Sequence, residues 1–397
     1  MTATYDVAIV GGCGHVGLPL GLALADSGLR VVLHDLDDRA VDLVNAGTLP
    51  FAEDGAEPVL RRALDAGRLR AVNEPGVLAG VEAVVVVVGT PIDEHLNPDL
   101  RAVPSAVAAL APHLRDGQLL VLRSTVYPGV TAMVERVLER EGRHLDVAFC
   151  PERIAEGRAM VELYELPQIV AARTPTAFDR AAKLFRNLTH EVVPLEPEEA
   201  ELAKLFTNTW RYVKFATANQ FFMIANDYGL DFERIRAALA HEYPRAADLP
   251  GAGFAAGPCL FKDAMQLAAF NNNAFTLGQA AMLVNEGMPL YVVARMERRW
   301  DLSPLTVGIL GMAFKGGSDD IRSSLSYKLK RILQFKAADV LCTDPHVTVD
   351  DGLVPLDEVL ERADVLVIAA PHAEYAAIRT ELPVIDIWNL LGNGVVL

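Results

Sequence analysis

Val7-Ala-Ile-Val-Gly-Gly-Cys-Gly-His-Val-Gly17 sets four apolar residues directly before Gly12, Gly14 and Gly17, which stand in GxGxxG spacing. A glycine turn between a strand and a helix lets the backbone approach a pyrophosphate, whose charge the helix N-terminus favours. The next apolar run, Arg30–His34, is closed by Asp35, 18 residues after Gly17. A carboxylate at that place accepts hydrogen bonds from adenosine ribose hydroxyls and repels a 2′-phosphate, which selects NAD over NADP. The competing reading of Asp35 is a solvated acid in the turn Leu33-His-Asp-Leu-Asp-Asp38. His15 and Cys13 fill the glycine turn with no required role.

Outward from this turn the same rhythm continues. Short Val/Ile/Leu runs at Asp6–Val10, Arg30–His34, Ala83–Val88, Leu119–Arg123, Val147–Phe149 and Gln168–Ala171 alternate with helical patterns, which predicts parallel βαβ units with helices on both sheet faces. The segment Glu191–Glu199, EVVPLEPEE, mixes prolines and acids and reads as a boundary near residue 196. Helical periodicity follows at Ala200–Tyr228, Phe232–Ala240, Lys262–Asn271 and Thr276–Arg299, interrupted by a Gly/Pro-rich stretch at Leu249–Leu260. After Asp301 the α/β rhythm returns with strands at Thr306–Leu310, Ala338–Thr343, Val365–Ala369 and Val384–Ile387. The expected fold is therefore α/β: two Rossmann-like doubly wound domains, 1–195 and 301–397, joined by a helical middle domain, 196–300, with a long central helix.

Composition narrows the partners. The 397 residues are 51% hydrophobic with a formal net charge of −16, a balance that argues against nucleic acid or an anionic membrane surface and requires any phosphate to be held locally. The amino-terminal residues carry no basic and apolar leader pattern. The longest apolar run, Ala83–Val88, is far shorter than the roughly 20 residues needed to cross a bilayer. Four scattered cysteines, Cys13, Cys150, Cys259 and Cys342, show no CxxC spacing, which fits a reducing cytoplasm and supports no zinc site. No metal is expected.

Further signatures stand in order: Val88-Gly-Thr-Pro91, Ser124-Thr-Val-Tyr-Pro-Gly129, Pro151-Glu-Arg-Ile-Ala-Glu-Gly157, Gly257-Pro-Cys-Leu-Phe-Lys-Asp263, Gly311-Met-Ala-Phe-Lys315 and Asp319-Asp-Ile-Arg322. With the glycine turn in front, the chain resembles the UDP-glucose/GDP-mannose dehydrogenase family from residue 5 to Asp386. That resemblance implies NAD as cofactor and a four-electron oxidation of the C6 hydroxyl of a nucleotide hexose, alcohol to aldehyde to acid.

The resemblance also implies roles. Cys259 follows a flexible Gly/Ala-rich stretch and precedes a helix, where a thiolate is favoured. In the resembling enzymes this cysteine attacks the aldehyde to give a thiohemiacetal and then a thioester; by itself it would read as a small buried hydrophobe. Lys204 and Asn208 project from one helix face and by resemblance flank the reacting carbon, stabilising its oxyanions. Asp263 matches the acid serving proton removal from the hydroxyl. Glu152 is the candidate base for the hydrolytic water, and Thr125 the hydroxyl that positions it. Cofactor contacts are implied for Gly12, Gly14, Val16, Gly17, Asp35, Thr90, Thr125 and Lys315. Substrate contacts are implied for Glu152, Arg153, Lys204, Asn208, Gly257, Lys262, Lys315 and Arg322, with Arg245 reaching across a dimer interface.

The chain departs from its relatives in two places. The approach to the cysteine, Gly251-Ala-Gly-Phe-Ala-Ala-Gly-Pro-Cys259, is one residue longer than the common form, and Gln220 stands where many relatives carry Glu. Pro151-Glu-Arg-Ile154 and Tyr243-Pro-Arg245 are closer to the branch acting on UDP-N-acetylhexosamines than to UDP-glucose enzymes. Two rivals stay open: a two-electron hydroxyacid-type dehydrogenase, which needs no cysteine, and a non-catalytic sugar-nucleotide binder. The resemblance implies a homodimer or higher homo-oligomer built on the long helix, for which a helix buried within one chain is the competing reading.

Overall fold

The computed structural model describes residues 5–93, 98–395 and 397. Met1–Thr4, the start of the stretch read as lacking a targeting signal, lie outside the described residues. The chain forms two compact units, Met1–Thr207 and Asn208–Leu397.

The first unit is built on an eight-stranded sheet. Its strands are β1 (Val7–Val10), β2 (Val31–His34), β3 (Leu69–Val72), β4 (Ala83–Val86), β5 (Leu119–Leu122), β6 (Asp146–Phe149), β7 (Gln168–Ala172) and β8 (Val192–Leu195). They lie in the order β3-β2-β1-β4-β5-β6-β7-β8. β1, β2, β4 and β5 are buried at every position, as expected of strands covered on both faces. The reversal of order at β1 and β4 opens the crevice where doubly wound sheets bind ligands.

Three features depart from the expectation. β6 and β7 pair antiparallel, so the sheet is not wholly parallel. β3 alternates buried and exposed residues, with no unbroken apolar run to announce it. The Pro/acid segment taken as a boundary contains β8, an edge strand in which Pro194 is exposed; an edge position tolerates the missing amide donor.

The second unit begins within the long helix Pro197–Asp227. It continues with helices Phe232–Ala240, Leu260–Phe270 and Thr276–Arg299. A four-stranded parallel sheet follows: β9 (Thr306–Leu310), β10 (Asp339–Thr343), β11 (Val365–Ile368) and β12 (Val384–Asp386), in the order β10-β9-β11-β12. The mostly parallel first sheet, the parallel second sheet and the long helix match the expected class. No helix among the described residues is long and apolar enough to cross a membrane.

Candidate active site

The glycine turn is shaped by backbone crowding on one side and space on the other. A Cβ on Gly12 would lie 2.7 Å from the Ile9 carbonyl oxygen, and one on Gly17 2.2 Å from that of Gly11, whereas one on Gly14 would find nothing nearer than 3.6 Å. Gly12 and Gly17 therefore serve close packing, and Gly14 faces the open side on which a pyrophosphate fits. Val16 caps the helix Gly17–Asp26, whose first turn bears no acid, so its positive end is uncompensated. Val87 crosses against this turn, which brings Thr90, half-buried, into the same region. Asp35 sits at the end of β2 and accepts the Cys13 amide on Oδ2 at 2.9 Å and the Asp37 amide on Oδ1 at 3.2 Å. One donor on each oxygen leaves lone pairs for ribose hydroxyls. Cys13 itself is buried, and burial pushes its thiol up to about 12, which makes it unreactive.

Across the sheet, the turn after β6 is organised by a buried ion pair. Arg123, at the end of β5, is almost wholly enclosed and donates through Nε and Nη2 to Oε2 of Glu152. Its Nη1 donates to the Cys150 carbonyl and to Gln168 Oε1, each at 3.0 Å, and its guanidinium lies over the Phe185 ring. Oε1 of Glu152 accepts the Arg153 and Ile154 amides at 2.6 and 3.0 Å. Both oxygens of Glu152 are thus engaged. Arg153 is half-buried and donates to the Pro167 carbonyl. Farther along the same loop, Glu53 accepts the Gly157 and Ala159 amides. Thr125 is half-buried beside Ser124, whose hydroxyl exchanges two 2.8 Å hydrogen bonds with the Val88 backbone.

On the long helix, Lys204 and Asn208 lie one turn apart and both are buried, with 8% and 4% exposure. Glu201, one turn earlier, is fully buried and accepts the Gly129 and Thr131 amides and the Thr131 hydroxyl, tying the helix to the Ser124–Gly129 turn.

In the second unit, Cys259 is the exposed N-cap of the helix Leu260–Phe270, while the other three cysteines are buried. Its sulfur therefore stands exposed at the N-terminal end of a helix. The approach to it is held at two glycines. A Cβ on Gly253 would fall 2.2 Å from the Trp388 ring, and one on Gly257, at φ +100°, 2.6 Å from that of Phe314. The Gly253 amide also donates to Asn219 Oδ1 at 2.9 Å. One turn beyond the cysteine, Asp263 is fully buried. Asn208 Nδ2 donates to its Oδ2 at 2.5 Å, and Lys262 Nζ pairs with its Oδ1 at 2.7 Å. The structure thus joins three predicted residues, Asn208, Lys262 and Asp263, around one carboxylate.

Lys315 is half-buried with its ammonium 5.7 Å from the Phe314 ring centroid. Arg322 is exposed and forks onto Asp320. Arg245 is exposed and stacks on Tyr243. Arg123, Gln168, Glu53 and Glu201 are not among the residues the sequence singles out. Only the arginine offered a signal, a cation directly after an apolar strand.

Three family models cover most of the chain. Residues 5–189 match the NAD binding domain of the UDP-glucose/GDP-mannose dehydrogenase family, residues 198–287 its central domain and residues 308–393 its UDP binding domain. The chain is 32% identical to a UDP-N-acetyl-D-mannosamine dehydrogenase of Pyrococcus horikoshii, covering 93% of this chain and 90% of that one. It is 31% identical to the Yersinia pestis protein of the same name, covering 95% and 96%. Among solved structures, a UDP-glucose dehydrogenase from Pyrobaculum islandicum superposes with a TM-score of 0.90 at 28% identity, over 97% and 94% of the two chains.

Proposed function

Since the chain belongs to the UDP-glucose/GDP-mannose dehydrogenase family and is an NAD-dependent nucleotide-sugar dehydrogenase, we propose that it oxidises the C6 hydroxyl of a UDP-N-acetylhexosamine to the carboxylate through a Cys259 thioester. The observation that carries this reading is the exposed cysteine at a helix N-terminus with the Asn208-bound carboxylate of Asp263 one turn on. A two-electron dehydrogenase has no use for that arrangement.

NAD, when bound at the Gly12–Gly17 turn, supplies the hydride acceptor for both oxidations. The protein's own groups do the rest. Asp263 is the acid that serves removal of the hydroxyl proton, and the Lys204 ammonium with the Asn208 amide stabilises the oxyanions that form at C6. Cys259 attacks the aldehyde carbon, forming the C–S bond of a thiohemiacetal, and loss of the second hydride leaves a thioester. Water then breaks the C–S bond, releasing the acid and restoring the thiol.

Glu152 enters as an anchor: four donors on its two oxygens fix the Pro151–Gly157 loop. On that loop Glu152 is also the base we assign to the hydrolytic water, with Thr125 as its positioning hydroxyl. Lys315, Arg322 and Lys262 are the cations we assign to the diphosphate, although Arg322 is held by Asp320 and Lys262 by Asp263 here; arginine offers a bidentate fork.

The choice of an N-acetylhexosamine rests on the names of the two relatives and on Pro151-Glu-Arg-Ile154, whose arginine is held in place by the Pro167 carbonyl. A homodimer is supported by the long helix. Trp210, Phe221 and Ile224 recur at helical spacing along it with Tyr228 just past its end, and they are 44–79% exposed, an apolar stripe a lone chain would leave in water. A cytoplasmic setting accords with the undisulfided cysteines. NADH release measured over UDP-N-acetylmannosamine, UDP-N-acetylgalactosamine, UDP-glucose and GDP-mannose tests the substrate. Turnover highest on an N-acetylated sugar supports the reading; turnover confined to UDP-glucose or GDP-mannose overturns it.

A further inference from the structure

The two sheets repeat one local geometry and then diverge. Gly11 follows β1 at φ +71° and donates to the His34 carbonyl at 2.9 Å; Gly311 follows β9 at φ +96° and donates to the Thr343 carbonyl at 2.9 Å. Asp35 and Asp344 each stand one residue beyond the neighbouring strand. Asp35 keeps lone pairs open, but Asp344 is saturated. Its Oδ2 meets the Met312 amide at 2.6 Å, the Ala313 amide at 2.9 Å and His372 Nε2 at 3.0 Å, and its Oδ1 accepts the His346 and Val347 amides. Both side chains of the Asp344–His372 pair are 0% exposed. The acid that would hold a ribose in a dinucleotide site is here consumed internally.

The other imidazole nitrogen completes the device. His372 Nδ1 accepts the Gly317 amide at 3.2 Å, so the proton must sit on Nε2 and point at Asp344. The pair therefore grips the Met312–Gly317 segment at both ends. Close backbone approach reinforces the grip, since a Cβ on Gly316 would lie 2.3 Å from the Pro371 carbonyl oxygen. Between the two anchors lie Lys315 and Phe314, whose ring abuts Gly257, two residues before Cys259.

We propose that the Asp344–His372 pair is a positioning device for the nucleotide diphosphate, fixing the loop that presents Lys315 to UDP. The proposal rests on residues 308–393 being the part that takes UDP. His372→Asn keeps an oxygen where Nδ1 accepts the Gly317 amide, whereas His372→Gln keeps a donor toward Asp344 and surrenders that acceptor. UDP affinity of the full-length protein is measured by calorimetry for the wild type and both variants, with NAD affinity as the control for an intact fold.

The expected result is UDP binding about tenfold weaker in His372→Gln, the loss of roughly one anchoring hydrogen bond. His372→Asn, which keeps the Gly317 acceptor and loses the donor toward Asp344, should fall between the wild type and His372→Gln, with NAD affinity unchanged throughout. Wild-type UDP affinity in His372→Gln, or equal losses of UDP and NAD affinity in both variants, overturns the proposal. A wild-type protein that does not bind UDP overturns the underlying assignment instead. Should His372→Gln not accumulate, amide exchange at Gly317 decides: protection in the wild type and in His372→Asn supports the grip, and rapid exchange in the wild type refutes it.

Discussion

Asn208 Nδ2 donates to Asp263 Oδ2 at 2.5 Å across 55 residues of sequence, tying the long helix to the helix that Cys259 caps. Asp263 is fully buried with Lys262 as its cation. Asp263→Asn removes the charge while keeping the shape. We expect kcat to fall by about 10²–10⁴-fold, the range for loss of a positioned acid or base, with the KM for NAD unchanged. Steady-state kinetics on the purified variant checks it; a loss confined to KM would place Asp263 outside the chemistry.

Arg123 and Glu152 make the second test. Removing one member of a buried pair strands the other, at a cost of about 3–5 kcal/mol. Arg123→Met and Glu152→Gln should each destabilise the fold strongly, and the double variant should cost less than the sum of the two. Urea unfolding of the four proteins measures this. Additive losses would mean that the pair does not hold the loop.

The acid limb of stability carries a signature of Asp344. Burial alone would raise its carboxyl, but His372 and the Ala313 and His346 amides hold it well below its ordinary 3.8. Its contribution is therefore complete above the unfolded value and is lost as pH falls through 3.8 toward the depressed folded value. Asp344→Asn should be less stable at neutral pH and should show a shallower loss between about pH 4 and pH 2. Unfolding midpoints over that range read it out; parallel curves would contradict the assignment.

The apolar stripe on the long helix predicts an oligomer. Ile224→Glu with Tyr228→Glu should shift sedimentation toward a monomer, because an unpaired charge in an interface core is costly. A wild type that sediments as a monomer at working concentration would remove the stripe, and the cross-interface role of Arg245, from the account.

Much of this fold is legible in the sequence itself. The glycine turn, Asp35 and the long helix follow from local rules, because a turn, a strand end and an amphipathic period are short-range properties. β8 was hidden by Pro194, a residue that reads as a breaker and is tolerated only because the strand lies at an edge. The antiparallel β6–β7 pairing had no local mark, since direction is set by where the connection returns. Cys259 and Asp263 were visible four residues apart, but Asn208 joined them only through tertiary packing. Arg123 is marked only as a cation after an apolar strand and His372 not at all, because a buried charge or imidazole is defined by partners 27 to 55 residues away.

The covalent route is tested most directly by counting NADH released per UDP-N-acetylhexosamine consumed, in the wild type and in Cys259→Ser. The account predicts two for the wild type, with the sugar recovered as the acid, and no acid from the variant, which stops at or before the aldehyde. Two NADH and full conversion to acid by Cys259→Ser would contradict it.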